Sequence, residues 1–432
     1  MKSALPKVLH PVSGKLLIGH VLDAARDLEP AKIAVVIGHQ GDAVEAAITA
    51  PDLTFVEQTE LLGTADAVRR CRDALRNCDE IIVVNGDQPL TTSALLKGLR
   101  GHASPMTILT CRLEKTGSLG RVVRNSEGAV AAIVEAADYS GAAGPGEINA
   151  GAYSFEAPWL WRNIETVPKS ASGEHYLTHL PEMAAAEGRH AATVPCEPDE
   201  FLGVDDRKSL AEAERRMRAR KLDAAMAEGV TIRDPGTTYI DSAVELSPDV
   251  TILPNTHLIG LTRIASGAVI GPNSTVSNAT VGADSHIQQS VIEDSTVGDR
   301  VRIGPFSHVR GGATIGNECF LGNYAEVKNS TLGERVKMHH FSYFGDAEVG
   351  DDTNIAAGII TCNYDGVDKH RTIIGKRVLL GSDTMLIAPI TVGDDAMTAA
   401  GSVVVNDVPP GQRVAGVPAR PMPASSQEKV SD

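Results

Sequence analysis

Aliphatic residues recur every six positions through much of the second half of the chain. Ile264, Ile270 and Val276 are six apart, as are Val297, Ile303, Val309, Ile315, Leu321 and Val327, and again Ile374, Leu380, Leu386 and Val392. Glycine often follows the apolar position, as at Gly271, Gly298, Gly304, Gly322 and Gly381. A sustained hexapeptide period predicts a parallel β-helix. Each six-residue rung turns one aliphatic side chain inward, and stacked coils bury a continuous core. With three rungs per coil, Ile252–Val404 would form roughly eight coils. The phase breaks between Ile355 and Ile374, where Thr361–Arg371 intervenes. Insertions into a solenoid gather on its binding face.

The first half has another texture. Continuous apolar runs at Lys32–Gly38 and Glu80–Asp87 read as buried strands, and helix-period residues fill Asp42–Ala50 and Thr64–Leu75. Such alternation predicts βαβ units and a mostly parallel sheet. Ligands then sit at the carboxyl ends of the strands, which makes the Asn85-Gly86-Asp87 tip a candidate. Arg207–Glu228 holds no Gly or Pro and carries mixed charges, so it reads as a long linking helix. The expected organisation is an α/β domain over 1–206, the helix over 207–228, and the β-helix over 229–432 with a disordered polar tail from Pro421.

Forty basic against fifty-five acidic residues leave a net charge of −15, which excludes nucleic acid or an anionic membrane as partner. A small anionic substrate held by a few placed cations remains open. Six scattered cysteines form no C-x-x-C pair, which argues against a zinc ribbon or disulfide framework. The opening MKSALPKVLHPVSGK holds no continuous apolar stretch, unlike a signal peptide. The reading is a soluble cytoplasmic protein.

In and beside the interrupted repeat lie Arg310, Lys328, His340, Tyr343, Asn354, Asn363, Tyr364 and Lys369. Taken singly, each suits a solvated rung. Across stacked coils they make a cationic patch beside a loop. Arg and Lys there would bind a phosphate, and a histidine titrating near neutrality would take a proton from an amine. The first half offers Lys7, Gln58, a Gly63-Thr64 turn whose helix start suits an anion or a base edge, Asp87 and Asp205. Two carboxylates from distant segments suit one Mg²⁺, although a lone Asp after Gly more often caps a turn.

The segment HVRGGATIGNECFLGNYAEVKNSTLGERVKMHHFSYFGDAEVGDDTNIAAGIITCNYDG closely resembles the acetyltransferase half of the bacterial bifunctional GlmU family. The likeness extends to LPKVLHPVSGK, to the E-Q-x-x-L-L-G-T segment and to the linking helix. It implies acetylation of glucosamine-1-phosphate by acetyl-CoA, then uridylyl transfer from UTP to N-acetylglucosamine-1-phosphate. It also implies a left-handed β-helix and a homotrimer with active sites between subunits. His340 would be the general base; Arg310, Lys328, Tyr343 and Asn354 would hold the sugar phosphate; Ala357, Asn363, Tyr364, Ser382, Ala400 and Arg420 would contact acetyl-CoA, with Asn363 a candidate donor to the developing oxyanion. In the first half Lys7, Gln58, Gly63, Thr64 and Gly86 match the nucleotide side. Gly120, Glu135, Asn149 and Thr178 match the sugar side, and Asp87 with Asp205 the Mg²⁺ pair. Asp66, Ala137 and His179 depart from the family pattern, and the family's central first strand with its phosphate loop is absent. The alternative is a single acetyltransferase whose N-terminal domain is degenerate and structural.

Overall fold

The structure, a computed structural model, describes residues 1–117, 119–135, 139, 144–170 and 173–422. The chain folds as two compact units, Met1–Met217 and Arg218–Asp432.

In the second unit every hexapeptide contributes one short strand, which pairs in parallel with its counterpart one coil further on. Thus Ile252 faces Ile270, Ile270 faces Ile287, and Ile287 faces Ile303. Three faces result, of twelve, ten and nine strands. Their inward positions are buried and mostly aliphatic, including Leu258, Val276, Ile292, Val309 and Val327 on the ten-stranded face, with Phe344, Thr361 and Thr398 among the exceptions. Corner backbone is buried too, and small hydroxyls satisfy it: the Ser330 hydroxyl donates to the Lys328 carbonyl at 2.8 Å and accepts from the Ala347 amide at 2.9 Å. Asn278, Asp294, Asn329 and Asp346 take the left-handed conformation along one corner, which short polar side chains tolerate.

The solenoid is longer than the repeat alone marked. It begins at Thr231–Ile232, before the apolar spacing becomes regular, and runs to Arg413–Ala415. The phase break is a loop, since Leu380 pairs with Ile355 across 25 residues instead of the usual 16 to 18. Pro421, placed in the polar tail by sequence, lies in the strand Arg420–Pro421, which folds back antiparallel on Arg413–Ala415. The rest of that tail, 423–432, lies outside the described residues, as does Ala137.

In the first unit Ile33–Ile37 and Leu53–Glu57 pair in parallel across the helix Gly41–Ile48, a βαβ unit as expected. The remainder is mixed. Gly146–Glu156 runs antiparallel to Glu80–Val83, Met106–Leu113 and Arg121–Arg124, and only Ala192–Cys196 beside Met106–Leu113 restores a parallel pair. The connections between Met106 and Glu156 are too short for the dozen-residue crossover that a parallel pair needs, so these strands turn back on one another.

The sheet is also interrupted. Among the described residues, Ile33–Ile37 pairs only with Leu53–Glu57, and Glu80–Val83 only with Gly146–Glu156. Both strands line one cleft of about 2050 Å³ with an edge that has no ladder partner. Arg207–Ala227 is one unbroken helix of 21 residues, ended by Gly229 at positive φ. Ala213 packs with Val12, Leu17 and Val204 in the first unit, whereas Leu222 and Ala225 join the β-helix core.

Candidate functional site

At the carboxyl end of Glu80–Val83 the chain turns through Asn85 and Gly86 to Asp87. The Lys7 ammonium lies between two carboxylates there, 2.5 Å from Asp87 Oδ2 and 2.8 Å from Asp205 Oδ1. Burial works against the lysine charge, but Asp205 and Asp87 outweigh it and hold the Lys7 pKa above its ordinary value. Residues 198 apart in sequence thus meet at one point. Among the described residues no cluster of three or more metal-ligating side chains occurs. A hard divalent ion held partly by substrate phosphates needs only one or two carboxylates, so the Asp87–Asp205 pair fits such an ion.

Across the same cleft Gly120, Glu135, Asn149 and Thr178 form two hydrogen-bonded pairs. Thr178 Oγ1 donates to Glu135 Oε1 at 2.7 Å, and the Asn149 amide N–H donates to the Gly120 carbonyl at 2.9 Å. A side chain at Gly120 would press on Ile133 and Glu135. Lys7, Thr64, Gly86, Asp87, Gly120, Glu135, Asn149, Thr178 and Asp205 all line the cleft. Gln58 and Gly63 do not; they hold its wall. Gln58 is buried and donates to the Gly63 carbonyl at 3.1 Å and to Asp66 Oδ2 at 2.9 Å. At Gly63 φ is +98°, and a Cβ would stand 2.4 Å from the His175 carbonyl oxygen, so only glycine fits. Asp66, a departure in sequence, is buried and paired with Arg69 and Arg70.

In the β-helix, Arg310, Lys328 and Gly345 are register partners on the ten-stranded face, and Tyr343 sits beside Glu326 on the same face. Arg310 spends one N–H on Glu326 Oε1 at 2.5 Å, while its buried Nε has no partner, leaving donors for an anion. Lys369, then Arg310, push the Lys328 pKa down by like-charge repulsion. Asn363 closes this face and opens the loop, in which Tyr364 and Lys369 form an isolated bridge.

His340 lies at the corner between Lys337–Met338 and Ser342–Gly345. Ala357, Ser382 and Ala400 occupy the equivalent corner in the three following coils. Backbone bonds tie these corners together: Gly358 N to Phe341 O at 2.7 Å, Asp383 N to Ala357 O and Gly401 N to Ser382 O, both at 2.8 Å. Residues scattered over 60 positions thus form one edge, directly in line with His340. Arg420 pairs with Ala415 one coil beyond. Asn354 stands apart: it is on the twelve-stranded face, between Lys337 and Leu379, and not with Arg310, Lys328 and Tyr343.

Sequence reasoning passed over Glu326 and Asp346, the carboxylates that hold Arg310 and Asn363. Each reads as a solvated rung or turn residue, and only the coil stacking reveals its partner.

Residues 1–150 match the MobA-like NTP transferase domain, 294–329 the bacterial transferase hexapeptide (six repeats), and 371–405 the hexapeptide repeat of succinyl-transferase. Over almost its whole length the chain is similar to proteins named bifunctional protein GlmU. It is 42% identical to that of Nostoc sp. (95% of this chain, 92% of the relative) and 42% identical to that of Corynebacterium aurimucosum (95% and 87%). Against that of Streptomyces coelicolor it is 40% identical over 100% of this chain and 94% of the relative. With a nucleotidyltransferase-type unit and a hexapeptide β-helix in one chain, and relatives at this identity covering both, the protein belongs to the bifunctional GlmU family.

Proposed function

We propose that this protein acetylates glucosamine-1-phosphate with acetyl-CoA and then transfers UMP from UTP to N-acetylglucosamine-1-phosphate, as a soluble cytoplasmic enzyme. Residues 229–432 would carry the first reaction and 1–206 the second, joined by the helix 207–228. Among the described residues no helix is long and apolar enough to cross a membrane. The family likeness spans both units, which favours two activities over a lone acetyltransferase with a structural N-terminal domain.

The observation that carries acetyl transfer is the meeting of a cationic face with one corner edge. Arg310 and Lys328 hold the sugar phosphate, Tyr343 the sugar. His340 takes a proton from the sugar amine, whose nitrogen attacks the thioester carbon of acetyl-CoA. The coenzyme, in contact with Ala357, Asn363, Tyr364, Ser382, Ala400 and Arg420, leaves as the thiolate and recovers the proton from His340. Asn354 completes the sugar site from a second subunit. Two outward faces of one prism diverge, so residues on the ten- and twelve-stranded faces converge on one ligand only across a subunit interface. The exposed Phe306, Tyr324 and Phe341 along the edge suit such a contact, which supports a homotrimer.

In the first unit Lys7, Gln58, Gly63, Thr64 and Gly86 take the nucleotide, and Gly120, Glu135, Asn149 and Thr178 the sugar. A sugar-phosphate oxygen attacks the α-phosphorus of UTP and pyrophosphate departs. Asp87 and Asp205 would hold Mg²⁺, which when bound neutralises charge on the phosphates. Lys7, already between these carboxylates, supplies a fixed positive charge at the same point.

Parallel assays of CoA release and pyrophosphate release test the proposal. Both should appear with the named substrates, and EDTA should abolish only the second. Absence of CoA release would overturn the acetyl-transfer reading, and absence of pyrophosphate release the uridylyl-transfer reading.

A further inference from the structure

Asn363 is buried at the point where the regular coil gives way to the loop, and its side chain is not free to turn. Its amide Nδ2 donates to Asp346 Oδ2 at 2.5 Å. The other oxygen of that carboxylate, Oδ1, accepts from Asn329 Nδ2, also at 2.5 Å. Asp346 therefore bridges the coil before it and the coil after it. Other acidic corner residues satisfy backbone, as Asp241 Oδ2 does by accepting from the Gly260 amide, or pair with an arginine, as Asp352 does with Arg335. Asp346 spends both oxygens on side-chain amides, one of them inside the substrate-facing cluster. Its own backbone is anchored, with N donating to the Lys328 carbonyl and O accepting from the Thr372 amide, each at 3.2 Å.

An ionised carboxylate can only accept, so it dictates which end of the Asn363 amide it meets. The amide must turn an N–H toward Asp346, leaving its carbonyl oxygen and one remaining N–H for other partners. Space around this amide is already tight. A Cβ on Gly345 would come within 2.8 Å of Asn363 Nδ2 and 2.4 Å of the Tyr343 hydroxyl. Asp346 also offsets part of the Arg310–Lys328–Lys369 repulsion, because its negative charge acts on Lys328.

We propose that Asp346 is a positioning residue for acetyl transfer: it clamps the Asn363 amide in one orientation while tempering the cationic sugar-phosphate subsite. This rests on the acetyltransferase reading above. It assigns Asp346 no contact with the reactants; its effect on turnover passes through Asn363.

The test is a double-mutant cycle on the full-length protein, following CoA release. Asp346→Ala should lower kcat by roughly 10²-fold, the scale of a misplaced reacting group. The KM for glucosamine-1-phosphate should stay level or fall, because a carboxylate has left a cationic subsite. Asp346→Ala combined with Asn363→Ala should be no slower than Asn363→Ala alone, since a residue that acts through another adds nothing once that partner is gone. Multiplying losses, or an Asp346→Ala protein with kcat within twofold of the parent, would overturn the proposal. Should Asp346→Ala fail to fold, the isosteric Asp346→Asn carries the test. Its one side-chain acceptor oxygen can keep Asn329 or Asn363 but not both, and the expected result is again reduced kcat without a raised KM. A raised KM with unchanged kcat would count against the clamp. A parent protein that releases no CoA would instead sink the acetyltransferase reading itself.

Discussion

Arg310 and Lys328 are register partners on neighbouring strands of one β-helix face, so their backbones stand one strand spacing, about 4.8 Å, apart. Like charges held this close repel, and Lys369 adds a third. The Lys328 pKa is depressed, so the lysine loses its proton at a lower pH than a free lysine would. Binding of the sugar phosphate should therefore weaken as pH rises through that depressed value, seen as a rising KM on the alkaline side. Lys369→Ala removes the larger repulsion and should move the rise to higher pH. A KM profile that ignores Lys369 would separate Lys328 from phosphate binding.

His340 and His339 are adjacent but differently placed. His339 packs against Phe320 with ring centroids 4.5 Å apart, and burial, then the His340 and Lys337 charges, push its pKa down. If His340 is the base, His340→Ala should cut the kcat of CoA release by roughly 10²–10⁴ with KM nearly unchanged. His339→Ala should cost far less. Equal losses from the two changes would point to a shared packing role.

The trimer proposal makes a distinct prediction. Arg310→Ala and Asn354→Ala should each be inactive in acetyl transfer, and co-assembly of the two variants should restore part of the activity. With each site drawing its two residues from neighbouring chains, about one site in four in a random mixture carries both. No recovery after mixed refolding would place both residues in a single-chain site.

Gly63→Ala probes the wall of the cleft in the first unit. The positive φ alone costs about 1–3 kcal/mol for a side-chain-bearing residue, and the clash with His175 adds to it. Pyrophosphate release should fall sharply while CoA release persists, as the two units have separate cores. Parallel loss of both activities would show that the units do not fold independently.

Asp66 gives the first unit an acid-sensitive point. Burial alone would raise its pKa, but hydrogen bonds from Gln58, Arg70 and Arg69 prevail and lower it. Its stabilisation is therefore complete above the unfolded-state value of about 3.9 and is lost as pH falls through the lower folded-state value. Asp66→Ala should lower stability by about 2–3 kcal/mol at neutral pH, because it takes the second acceptor from the buried Gln58 amide and unpairs two arginines. It should also flatten the stability profile below pH 4. Denaturant titrations at pH 3 and pH 7 would measure both effects.

The sequence by itself determined the solenoid and the residue types of both candidate sites. A six-residue aliphatic period has one compact solution, because each rung can hide its side chain only by stacking on the next, so the core residues from Ile252 to Val404 were legible in one dimension. So was the linking helix, which needed only unbroken helix-forming composition. Tertiary structure decided what spacing cannot encode. Coil length varies from 16 residues to 25 across the loop, so the alignment of His340, Ala357, Ser382 and Ala400 on one edge exists only after stacking. The same stacking sets Asn354 on a separate face and brings Asp346 between Asn329 and Asn363. In the first unit the short connections after Met106 turned an expected parallel sheet into a mixed one. The cation between Asp87 and Asp205 is Lys7, a meeting of three distant segments that no local pattern could announce, since each of these residues taken alone reads as an ordinary turn residue.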